Sequence, residues 1–99
     1  MYAFPSENIF ERTPFEKIKS EQIYKEDRFH VVLLRIKQGE LLKPHHLTTN
    51  AFLTVIEGEV IFILNETPFH LQKGDMFTFK SYETHAVQAL QNASLLIVK

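Results

Sequence analysis

His45 and His85 are the side chains whose type and placement best suit chemistry in this 99-residue chain. An imidazole can bind a divalent ion, exchange a proton near neutral pH or hydrogen-bond a ligand. On a β-strand, side chains two residues apart face the same way, so a companion to His45 on its own strand belongs at position 47, where Leu47 stands. His46 faces the other way unless a bulge beside Pro44 turns it inward. If His45 and His85 share an apolar pocket, desolvation and mutual repulsion both favour their neutral forms. Their nitrogens then remain as donors and acceptors for the hydroxyl or carboxyl of a ligand. Binding is the first chemistry this offers, and acid–base exchange the second.

Other constellations offer less. Glu57 and Glu59 bracket Gly58 as paired carboxylates would, but residues flanking a turn are ordinarily solvated. Ser81 has no nucleophile elbow around it. His30 and His70 lack companions in register and read as structural or exposed. The chain has no cysteine, which excludes disulfides, thiolate nucleophiles and zinc–thiolate clusters and suits a reducing, cytoplasmic compartment. Eleven Lys and Arg against twelve Asp and Glu, with neither sign clustered, leave no electrostatic footprint for nucleic acid or an anionic membrane. No apolar run reaches membrane-spanning length, and the first residues lack the pattern of a signal peptide.

The elements that must position the histidines read as short strands. Residues 29–36, 52–56, 60–64, 69–71, 76–79, 85–90 and 95–98 are rich in β-branched, aromatic and other apolar residues, and turn-forming residues separate many of them. Gly39, Gly58 and Gly74 fall at chain reversals, and Glu57-Gly58-Glu59 is expected to close a hairpin between 52–56 and 60–64. A single helical turn is expected at Ser6–Phe10 or Ser20–Tyr24. Eight to ten strands at this spacing imply an all-β sandwich or barrel. Strands 52–56, 60–64 and 95–98 are apolar on both faces, so their outer faces need cover. An N-terminal arm, residues 1–14 with Tyr2, Phe4, Ile9 and Phe10, is one source of cover and a second subunit the other. We expect a homodimer built on one domain, residues 15–99, with Phe52, Phe62, Phe77 and Phe79 as core and interface.

Gly39-Glu40-Leu41-Leu42-Lys43-Pro44-His45-His46, the Gly58 turn, Leu71-Gln72-Lys73-Gly74-Asp75 and His85 together resemble the two motifs of the cupins. The likeness spans residues 39–89 and is most similar to small single-domain members. It implies a double-stranded β-helix, or jelly-roll barrel. In that family both motifs supply metal ligands, and the resemblance carries only His45 and His85 over as ligand positions. Leu47 stands where the pattern has a second histidine and Ala51 where it has a glutamate; Lys80, Tyr82 and Ala89 replace a Pro, a Gly and an Asn. The resemblance further implies that Lys80 and Tyr82 lie near the cavity mouth.

Two imidazoles without a carboxylate are a poor donor set, since first-row metals in such sites take three or four protein ligands, often including oxygen. A divalent metal on His45 and His85, with His46 as a third candidate, is therefore allowed but not favoured, and the cofactor stays open. The reading is a cupin barrel that binds a small molecule at His45, His85, Leu47 and Ala51, in a sensing or regulatory role. Two alternatives compete with it: a metal-dependent dioxygenase or isomerase with a reduced ligand set, and an interaction protein whose barrel is closed.

Overall fold

The computed structural model describes residues 6–99, so Tyr2, Phe4 and Pro5 of the expected arm lie outside the described residues. Nine strands follow a short 3₁₀ turn, Ile9–Glu11: β1 (Ile18–Lys25), β2 (His30–Ile36), β3 (Leu41–His45), β4 (Ala51–Glu57), β5 (Glu59–Leu64), β6 (Thr67–Gln72), β7 (Met76–Phe79), β8 (His85–Ala89) and β9 (Ala93–Val98). They form two antiparallel sheets, ordered β1-β2-β9-β4-β7 and β3-β8-β5-β6. The result is an all-β jelly roll, with most neighbouring strands distant in sequence. Among the described residues, no helix is long and apolar enough to cross a membrane.

Alternation builds the interior. Leu34, Ile36, Leu53, Val55 and Leu95 face inward from the five-stranded sheet, and Val60, Phe62, Val87 and Ala89 from the other; all nine are buried in one cluster. Toward the end of the barrel that carries Gly58, Ile36, Val60 and Ala93 are fully buried. The opposite end carries His30, Ala51 and Lys99 from one sheet and His45, Leu64 and His85 from the other.

Three local expectations are corrected. Strands 52–56 and 60–64 flank Gly58 but do not pair: β4 lies between β9 and β7, and β5 between β8 and β6, so the turn carries the chain from one sheet to the other. Gly58 permits this corner because its φ is +79° and its Cα packs against the backbone of Asn92 and Ala93. The hairpin instead joins β5 to β6 through Asn65 and Glu66, both at positive φ, as a primed two-residue turn requires. Ser20–Tyr24 lies within β1, where pairing to β2 overrides local preference. Leu41–His45, read only as part of a motif, is a strand at the sheet edge, which is where Pro44 costs no ladder hydrogen bond.

The described part of the arm docks on the outer face of the five-stranded sheet. Arg35 is buried there and donates to the backbone oxygens of Phe10 and Thr13, while its guanidinium lies 3.9 Å over the Phe15 ring. Phe52 and Met76, on the outer sides of β4 and β7, remain exposed.

Candidate functional site

His45 ends β3 and His85 begins β8, and the two are direct cross-strand partners. A register shift between Leu42 and His45 sets this pairing, so the strand is irregular beside Pro44, yet His45 and not His46 lines the inner wall. The ring centroids are 4.2 Å apart with planes at 59°. His85 also stacks on Phe62 at 5.6 Å and meets Phe79 at 4.5 Å. It is 4% exposed, whereas His45 is exposed. His45 thus stands at the rim of a space whose wall contains His85.

That space is a cavity of about 210 Å³. Its walls are aliphatic and aromatic, with Leu34, Leu53, Phe62, Phe79, Val87 and Leu95 among them, and Ser20, Lys99 and the two histidines are its polar residues. Leu47 lines it next to His45. Ala51 is buried in the core beside Phe79 but is not part of the lining. His46 is exposed, with its ring 5.4 Å from that of Tyr82, and also stands outside the lining. The Tyr82 N–H donates to the Leu47 carbonyl at 2.8 Å, tying the 80–83 turn to the cavity wall. Tyr82 itself has φ +66° and an exposed side chain.

Each imidazole is oriented by the backbone two residues before it. His45 Nδ1 donates to the Lys43 carbonyl at 3.0 Å, and His85 Nδ1 donates to the Glu83 carbonyl at 3.2 Å. Burial pushes the His85 pKa below the ordinary imidazole value; the Glu83 carbonyl partly opposes this, and His45 and His46 add to the lowering. The neutral ring therefore prevails at physiological pH.

Sequence reasoning missed the β1 contribution, Ile18 and Ser20, because Ile18 falls in no expected element and Ser20–Tyr24 is one of two alternatives for a helical turn. The alternation of Ile18, Ser20 and Gln22 was the available signal. Missed as well was a polar groove at the open end, lined by Asp27, Arg28, His30 and residues 48–50, which shares Leu47 and Lys99 with the cavity. His30 and His70 are held by Gln22 and Glu59, at 2.6 and 2.7 Å, away from the histidine pair.

The donors present do not fit a resident first-row metal. Among the described residues no three His, Cys, Asp or Glu side chains form a group able to hold one. Leu47 and Ala51 offer no lone pair, so His45 and His85 supply two ligands and no compensating charge.

A family profile described as Cupin domain matches residues 32–99, and the chain belongs to that family. Among solved structures, it is similar to an RmlC-like cupin protein from Desulfovibrio desulfuricans, with TM-score 0.85 and 21% identity over 97% of this chain and 95% of that one. A conserved protein of unknown function from Streptococcus pyogenes gives TM-score 0.84 at 13% identity, covering 99% and 88%. Salicylate 1,2-dioxygenase from Pseudaminobacter salicylatoxidans gives 0.66 at 22% identity, covering 71% of this chain and 20% of that one. At these identities the likeness is one of fold. No curated protein matches the chain.

Proposed function

We propose that this cupin binds a small, largely apolar molecule inside its barrel, with His45 and His85 as the hydrogen-bonding end of the site. One observation carries the reading: a cavity of about 210 Å³ with apolar walls and a polar pair that the fold itself does not consume. A dry cavity of about 150 Å³ takes up benzene, so this one suits a ligand of one ring with a substituent. Such a pocket with a few convergent polar groups is the usual form of a small-molecule site. The absence of a complete catalytic set from the described lining favours a sensing or regulatory role over turnover.

Titration of isotope-labelled protein with benzene and phenol tests this. Amide shifts confined to the cavity-lining segments are expected, and a Leu42→Trp variant, which fills the space beside the pair, should lose them. Folded protein whose lining amides do not respond to either probe at millimolar concentration would overturn the proposal.

A further inference from the structure

We propose that the group seated on the histidine pair is a neutral hydrogen-bond donor, such as the hydroxyl of a phenol or a cyclic alcohol, and that the pair disfavours carboxylates. The inference rests on the cavity-binding reading and names its ligand class.

A backbone carbonyl can only accept a hydrogen bond, so the nitrogen facing it must carry the proton. In both rings that nitrogen is Nδ1, and in both the acceptor is the carbonyl two residues earlier, Lys43 for His45 and Glu83 for His85. The tautomer is therefore set by the local backbone in each case, independently and before any ligand arrives. In a neutral ring with Nδ1 protonated, Nε2 has a lone pair and no hydrogen. Neither Nε2 has a hydrogen-bond partner among the described residues.

The site therefore holds two acceptors side by side, on rings 4.2 Å apart, and no donor between them. A hydroxyl satisfies an acceptor and leaves its carbon skeleton to Phe62, Phe79 and the aliphatic wall. A carboxylate would place negative charge against two lone pairs inside an apolar enclosure, where an unpaired ion is costly. An ammonium group would donate, but it would bring a buried positive charge with no carboxylate side chain in the lining to offset it. Lys99 is the one charged side chain in the lining and is shared with the polar groove at the open end, so it is the group through which an acid would have to escape this exclusion.

The test uses the untagged protein at pH 8 with four probes of matched ring size: benzene, fluorobenzene, phenol and benzoate. Phenol should bind roughly tenfold more tightly than fluorobenzene, the increment of one well-made hydrogen bond, and benzoate should bind more weakly than either. His45→Leu and His85→Leu should each reduce the advantage of phenol over fluorobenzene, and the two together should erase it; should the double variant fold poorly, the two single variants carry the comparison. Long-range proton–nitrogen correlation spectra should show both rings of the free protein protonated at Nδ1. Equal binding of phenol and fluorobenzene, tighter binding of benzoate, or a ring protonated at Nε2 would overturn this inference while leaving the cavity reading intact. Failure of all four probes would overturn both.

Discussion

Two polar clusters, one on the outer face of the five-stranded sheet and one on the inner face of the four-stranded sheet, differ in how completely they consume their own hydrogen-bonding capacity. On the outer face, Arg35 is 5% exposed and every guanidinium nitrogen is engaged: Nε with Ser94 Oγ at 3.0 Å, one terminal nitrogen with Glu57 at 3.0 Å, and the other with the Phe10 and Thr13 carbonyls. Ser94 closes the loop by donating to Glu57 at 2.7 Å. On the inner face, each histidine commits one nitrogen to its own backbone and leaves the other without a partner among the described residues, at the lining of the cavity. A buried polar network satisfied by protein alone fixes a structure, and its members resist removal. A cluster left half satisfied beside a cavity of about 210 Å³ is arranged for something the chain does not itself supply.

The contrast can be broken most forcefully at Arg35. Arg35→Ala should cost about 3 kcal/mol, measured by urea denaturation, because it releases the arm and leaves its partners unpaired. The lower end of the usual range applies, since the Glu57 side chain is 40% exposed and recovers part of its hydration. A cost below about 1 kcal/mol would show that the outer cluster is no more structural than an ordinary surface ion pair.

Gly58 comes next, because it carries the corner that brings Glu57 alongside Ser94. A Cβ there would stand 2.2 Å from the Asn92 carbonyl oxygen, and the backbone would also be held at φ +79°. Gly58→Ala should cost about 2 kcal/mol through backbone strain and displacement of that carbonyl. Gly74→Ala is the control: φ is +94° but nothing lies within 4 Å, so only the conformational part, about 1 kcal/mol, should appear. Equal costs at the two glycines would mean that the close approach at Asn92 does not constrain the corner.

The two clusters were unequally legible in sequence. His45 and His85 stood out because they fall at the surviving ligand positions of the two cupin-like motifs, and the three glycines, all found at positive φ, marked the reversals correctly. Whether the Gly58 reversal joined paired strands could not be read locally, since that depends on β9 and β7 occupying both edges of β4 and β8 and β6 both edges of β5. Arg35 passed unnoticed because its partners lie far away in sequence, at positions 10, 13, 57 and 94. The one available signal was a lone charge inside His30-Val31-Val32-Leu33-Leu34-Arg35-Ile36, a strand otherwise too apolar to have a solvated face. Similarly, β1 hid its two cavity residues behind Lys19 and Glu21, whose charges made an inward-facing alternation look like a polar surface turn.

Acid separates the two regions more gently than mutation does. The His85 pKa is lowered by burial, so between that lowered value and the ordinary imidazole value of about 6.5 the unfolded chain binds the extra proton and the folded one resists it. Stability should be flat above that ordinary value, decline as pH falls through it, and level off below the folded-state pKa. On the arm, hydrogen bonds from Arg12 and then Thr13 lower the Glu21 pKa, so its contribution persists to more acidic pH and is lost only as pH drops through the carboxylate range toward the lowered value. A urea midpoint profile should therefore fall in two limbs, the first belonging to the inner cluster and the second to the arm. His85→Phe, whose ring fits between Phe62 and Phe79, should leave stability at pH 8 nearly unchanged, abolish the first limb and spare the second. If the first limb survived in His85→Phe, the proton would be entering elsewhere, and His85 would not be the buried, neutral ring that sets the inner cluster apart from the closed network around Arg35.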